Sequence, residues 1–117
     1  MFKIDDKNVI RIIQGDTGVL SLKLHDYILQ EGDTVIFTVV DKNVLVDVGS
    51  TRGRHTIRKE VDEFGPDGLA VIKFNSEDTE YLTPKTYSYD IQVNTRDGRV
   101  DTVVPANRFI VLEGISV

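Results

Sequence analysis

The sequence predicts an all-β domain, an antiparallel β-sandwich with one short helical turn, occupying residues 1–117 as a single unit. Three observations carry this expectation. From Tyr87 to Asn94 the chain alternates without a break, with Tyr87, Tyr89, Ile91 and Val93 on one face and Ser88, Asp90, Gln92 and Asn94 on the other. That is the period-two signature of a half-buried strand. About seven or eight short runs of this kind are spaced by turn signals, the pattern of a sandwich. The one helical signal, Ser76 to Leu82, is short and is closed by Pro84. A length of 117 residues suits one domain.

Val9 to Ile13 is apolar and β-branched and reads as the first strand. Gly15-Asp16-Thr17-Gly18 is a turn. Thr17 to Leu24 then alternates, with Leu20, Leu22 and Leu24 toward the core and Val19, Ser21 and Lys23 away from it. His25-Asp26-Tyr27 breaks the pattern, and the turn Glu31-Gly32-Asp33 launches Thr34 to Val40. Both faces of that run are apolar (Val35, Phe37 and Val39 against Ile36, Thr38 and Val40), which fits a central strand. After the turn Asp41-Lys42-Asn43, residues Asp47 to Arg54 are polar and glycine-containing and read as a loop. His55 to Val61 reads as an edge strand, its Arg58, Lys59 and Glu60 discouraging indiscriminate pairing.

Phe64-Gly65-Pro66-Asp67-Gly68 is a strong turn leading into Leu69 to Phe74. Asn75 or Ser76 can cap the helical turn, where Glu77 and Asp78 sit favourably near its positive end. The final hairpin is expected to reverse at Asp97-Gly98 as a two-residue type I′ turn. Arg96 would then face Arg99, Val93 would face Thr102 and Ile91 would face Val104. Pro105 cannot donate a ladder hydrogen bond, so it marks a kink or an edge, and Asn107 to Glu113 resumes as a separate strand.

Nineteen acidic residues against fourteen basic ones give a formal charge of -5. With the basic residues scattered, no nucleic-acid partner is expected. The absence of cysteine removes disulfides, thiolate catalysis and Cys-based metal sites. No apolar run approaches a membrane span and the N-terminus lacks a signal-peptide pattern, so neither a membrane partner nor Sec-type export is expected.

No catalytic, cofactor-binding or metal site is expected, and the chain reads as non-enzymatic. His25 and His55 stand near no G-x-S-x-G or H-E-x-x-H arrangement. Glu60, Asp62, Glu63 and Asp67 match no calcium-loop spacing and read as a solvated acidic loop; Asp5-Asp6 reads as a solvated turn. Arg52, Arg54 and Arg58 form the nearest approach to a basic cluster, a contact region for an acidic partner or a flexible loop in solution. Tyr87, just after the Pro84 turn, is placed to bond its hydroxyl back to upstream backbone, as tyrosines do in Greek-key sandwiches.

Three blocks, in order and spacing, resemble the N-terminal domain of phage baseplate upper proteins and related small prophage tail proteins of Gram-positive bacteria. They are Gln14-Gly15-Asp16-Thr17-Gly18 with its following strand to Leu24; Glu31-Gly32-Asp33 with Val35 to Val39; and Ser76 to Leu82, Pro84, Tyr87 to Gln92, Asp97-Gly98 and the Thr102 to Pro105 return strand. The weakest match is Asp47 to Phe64. The resemblance implies an immunoglobulin-like sandwich that serves as a virion building block, made in the bacterial cytoplasm and docking to other tail proteins and to copies of itself. The sequence departs from that plan in two places: no coiled coil or receptor-binding module follows before Val117, and Lys85 stands where relatives often carry glycine.

The resulting expectation is a structural protein of a phage or prophage tail, with a carbohydrate- or receptor-binding sandwich as the alternative. Association as a homo-oligomer or with other virion proteins would use sheet edges and the middle loop. The two candidate edges are Val9 to Ile13, with Val9 and Ile12 as contacts, and His55 to Val61, with Arg58. An unpaired apolar strand such as Val9 to Ile13 would invite another chain to extend the sheet.

Overall fold

The computed structural model describes residues 1–42 and 55–114. Eight strands carry the described fold: β1 (Phe2–Ile4), β2 (Ile10–Ile13), β3 (Gly18–Leu22), β4 (Thr34–Val40), β5 (His55–Val61), β6 (Ala70–Phe74), β7 (Thr86–Asn94) and β8 (Val100–Leu112). The helical content is one turn, α1 (Ser76–Thr79), and a 3-10 turn at Pro66–Gly68. The all-β sandwich expectation therefore holds. Among the described residues no helix is long and apolar enough to cross a membrane.

The two layers are unequal. A six-stranded sheet runs in the order β1-β2-β8-β7-β4-β5, and a two-stranded ribbon, β3-β6, covers its inner face. Alternation in the sequence decides which residues meet between them. Val35, Phe37 and Val39 of β4, Tyr87, Tyr89, Ile91 and Val93 of β7, and Phe109 and Val111 of β8 are buried from the sheet side. Leu20 of β3 and Ala70, Ile72 and Phe74 of β6 are buried from the ribbon side. Fully burying a side chain of this size contributes about 1.5–3 kcal/mol, so this layer dominates the stability of the fold.

The aromatic rings interlock at its centre. Phe37 meets Phe74 edge-on at 5.1 Å and stacks with Tyr89 at 5.2 Å. Phe109 contacts both Phe37 and Phe74 at 6.1 Å. Phe2 stacks on Phe74 at 5.3 Å, so the three-residue β1 is held to the ribbon as well as to β2.

Three local expectations are corrected. First, Val9 to Ile13 does not form a sheet edge. β2 lies between β1, which pairs with it antiparallel, and β8, which pairs with it in parallel. Among the described residues the sandwich thus contains one parallel pair beside otherwise antiparallel ladders. A strand apolar at nearly every position gains most where both its edges and its inner face are covered, and the short β1 supplies that cover.

Second, the final hairpin closes on three residues. The Thr95 amide donates to the Arg99 carbonyl at 2.9 Å and the Gly98 amide to the Thr95 carbonyl at 3.0 Å. Only Gly98 of the loop has positive φ, at 93°, which is a type I turn followed by a left-handed glycine. Ile91 still faces Val104, but Val93 faces Asp101 and Gln92 faces Thr102.

Third, the chain does not break at Pro105. β8 runs continuously from Val100 to Leu112, and its register against β7 shifts between Tyr89 and Ile91 and again between Ile91 and Gln92. These irregularities accommodate the proline, which has no amide to donate.

Candidate interaction surfaces

Among the described residues, the sheet edges and the ends of the sandwich carry the surfaces singled out from the sequence. Val9 and Ile12, expected as edge contacts, are 3% and 0% exposed. They belong to the core, and no partner can reach them. The turn before them is built by Asp5, whose Oδ1 accepts the amides of Lys7 at 2.9 Å and Val9 at 3.0 Å. Those bonds, led by the one from Val9 and joined by the Arg11 guanidinium, hold its carboxyl below the usual carboxylate range against the opposing effect of desolvation. Asp5 thus organises the β1–β2 turn, a role the sequence reading of a simple solvated turn missed.

Arg52 and Arg54 lie outside the described residues, as does the whole of the expected loop from Asp47 to Arg54. Arg58 is on β5, which among the described residues is the outermost strand beyond β4, so there the expected edge strand is an edge. Ile57 to Val61 pair regularly with Val39 to Val35, and the one irregularity falls at Thr56, where the step from Val39 to Val40 spans two residues of β5. Arg58 and Glu60 project from the outer face, opposite Thr38 and Ile36, and are exposed. Arg58 Nη1 lies 2.8 Å from Glu60 Oε1. Lys59 points inward opposite Phe37, and its Nζ lies 2.7 Å from Asp78 Oδ2. Asp78 also accepts the Asn75 amide at 2.7 Å, so the N-terminal cap of α1 doubles as the anchor that neutralises the edge lysine.

Among the described residues a second edge is open along β8. Its lower half, Val100 to Arg108, pairs with β7 alone, because β2 reaches only Phe109 to Leu112. Two register shifts, Pro105 and the exposed Asp101 interrupt it, all features that block strand addition. The outer edge of β1 is three residues long.

One end of the sandwich is organised by Asp33. It is fully buried and accepts the Tyr27 hydroxyl at 2.8 Å, the Gln30 amide at 3.0 Å and the Arg96 amide at 3.0 Å. Burial pushes its pKa up, but these bonds and the nearby Arg96 charge outweigh burial and hold it below the ordinary carboxylate value. The adjoining Gly32 has φ of 97°, and a Cβ there would stand 2.7 Å from Arg96 Cβ, so only glycine lets the two turns meet. The cleft beside them is lined by Leu29 to Thr34 and Asp62 to Gly65. Among the described residues no group of three or more acidic or histidine side chains gathers there as a metal site.

The remaining singled-out residues are structural. Tyr87 is buried and donates its hydroxyl to the Thr83 carbonyl at 2.8 Å, tying the turn containing Pro84 to the start of β7. Its phenol pKa is raised, chiefly by burial. Asp97 and Gly98 form the hairpin tip, where the Thr95 hydroxyl bonds the Asp97 carboxylate and lowers its pKa. Tyr89, not singled out from the sequence beyond its face, donates to the Asn8 carbonyl at 2.5 Å across 81 residues. Burial, then the Asp5 charge, push its pKa up to about 12. Compared with known proteins, the chain matches no family model and no curated protein sequence.

Proposed function

We propose that this domain is a non-enzymatic structural and interaction module of a phage or prophage tail, associated with the baseplate and docking edge-on to other virion proteins. The observation that carries this reading is the outer edge of β5, a regular strand margin whose charges are arranged in pairs. An edge of that kind accepts a strand of matched charge and refuses others. The order and spacing of the three sequence blocks supply the virion context, by resemblance. Multiple copies around a symmetry axis make edge pairing useful to an assembly.

The test is mass spectrometry and cryo-microscopy of purified particles from a strain that carries the gene. The reading expects the protein at fixed stoichiometry within tails. Its absence from every particle, together with tight binding of the isolated protein to a glycan, would replace this reading with that of a carbohydrate- or receptor-binding module.

A further inference from the structure

We infer that β5 pairs antiparallel with β5 of a second copy of this chain, about a two-fold axis that passes beside Lys59. This deepens the assembly reading above and rests on it. Directly opposite residues in an antiparallel ladder share a face of the sheet. A two-fold axis perpendicular to the sheet returns each side chain to its own face. The axis must therefore pass beside a residue paired with itself. Within the regular stretch Ile57 to Val61 three interior residues qualify.

Centring on Arg58 sets two exposed guanidinium groups against each other, and centring on Glu60 sets two exposed carboxylates against each other. Like charges directly opposite are destabilising. Centring on Lys59 removes both conflicts. Arg58 then faces Glu60 of the second copy and Glu60 faces its Arg58, both pairs on the outer face. Ile57 faces Val61 of the second copy, and Val61 its Ile57, on the inner face. Lys59 meets its own counterpart, but each ammonium is already held 2.7 Å from the Asp78 carboxylate of its own chain.

The five residues from Ile57 to Val61 thus read as a charge palindrome: apolar, basic, neutralised lysine, acidic, apolar. Charges on an edge usually serve only to repel. Here they repel two of the three registers centred inside the stretch, so the same residues that guard the edge select its partner. Beyond this stretch the ladder ends at the irregularity around Thr56 on one side and where β5 ends at Val61 on the other. The interface is small, which makes the dimer weak in isolation and strengthened where copies are held close together.

The test uses the full chain in a sedimentation equilibrium series of rising concentration. Wild type is expected to dimerise reversibly. Arg58→Glu places acidic residues opposite Glu60 of the second copy, and Glu60→Arg places basic residues opposite Arg58; each is expected to weaken dimerisation about tenfold. An equimolar mixture of the two variants restores cross-strand complementarity and is expected to recover dimers of mixed composition. The Arg58–Glu60 pairing within each chain stays broken in that mixture, so a purely intrachain role predicts no recovery. Should either variant unfold, Glu60→Gln keeps the shape and is expected to weaken the dimer about threefold. A strictly monomeric wild type, single variants that dimerise normally, or a mixture that stays monomeric would each overturn the inference. A monomer in solution leaves the tail reading to its own test, whereas absence from particles ends that reading and leaves a measured dimer standing.

Discussion

Tyr27 donates its hydroxyl to Oδ2 of Asp33 at 2.8 Å, and on the other side of the same carboxylate the Arg96 amide binds Oδ1 at 3.0 Å. One buried side chain thereby joins the loop before β4 to the hairpin between β7 and β8, 63 residues away. A buried carboxylate costs free energy unless its oxygens are satisfied, and here both are.

Removing this acceptor should be among the most damaging polar substitutions in the domain. Asp33→Ala leaves the Gln30 and Arg96 amides and the Tyr27 hydroxyl without their partner and is expected to cost about 3 kcal/mol. Tyr27→Phe removes one bond and is expected to cost about 1–2 kcal/mol. Urea denaturation of both variants checks the order and the size.

Acid and alkali should act on different residues. The folded pKa of Asp33 is lowered from 3.8, so its contribution is present in full above that unfolded value and is lost as pH falls through the lower folded one. Asp33→Asn should flatten that part of the acid limb. For Tyr89 the sign reverses: its folded pKa is raised from 10.0 to about 12. Its contribution, of order 2–3 kcal/mol, is present below pH 10 and lost as pH rises through about 12. Phenolate absorbance during alkaline titration should show a late component from Tyr89 that appears together with unfolding, and Tyr89→Phe should remove it.

Tyr87→Phe deletes the bond to the Thr83 carbonyl while keeping the buried ring. A loss of about 1–1.5 kcal/mol is expected, with the β spectrum in circular dichroism unchanged. At the hairpin tip, Gly98→Ala meets no neighbouring atom within 4 Å, so its cost is that of placing a side chain at positive φ, about 1 kcal/mol. Thermal melts of the two variants should therefore resemble each other despite unrelated causes.

Ile12→Lys separates the corrected position of β2 from the expected one. On an open edge, the lysine would disturb association and spare the fold. Ile12 is instead fully buried between β1 and β8, and an unpaired charge there is expected to cost at least about 4 kcal/mol. Loss of the cooperative melt in the isolated protein is the expected outcome.

The contrast between β7 and β2 shows what the sequence made legible. Strict alternation from Tyr87 to Asn94 left one solution for which face is buried, and the structure adopts it. Asn75 or Ser76 as a cap, with Glu77 and Asp78 near the positive end, announced the short helix, and Arg58 to Glu60 announced an edge. Val9 to Ile13 is apolar at every position but Arg11, so periodicity could not tell an exposed margin from a strand flanked on both sides. What decided it was β1, three residues long and too short to leave a pattern. The hairpin loop turned on Thr95, whose hydroxyl binds both Asp97 and the Arg99 amide. Asp33 read as an ordinary turn residue because its farthest partner is 63 positions away. The pairing of Arg58 with Glu60 required knowing that Lys59 points inward to Asp78.

Hydrogen exchange measured as a function of protein concentration tests the working edge most directly. Strand pairing about Lys59 predicts that the amides of Ile57 to Val61 that point away from β4 gain protection as concentration rises, while those of Val100 to Val104, on the interrupted edge of β8, do not change. Protection of Ile57 to Val61 that is independent of concentration, or a concentration-dependent gain confined to β8, would contradict it.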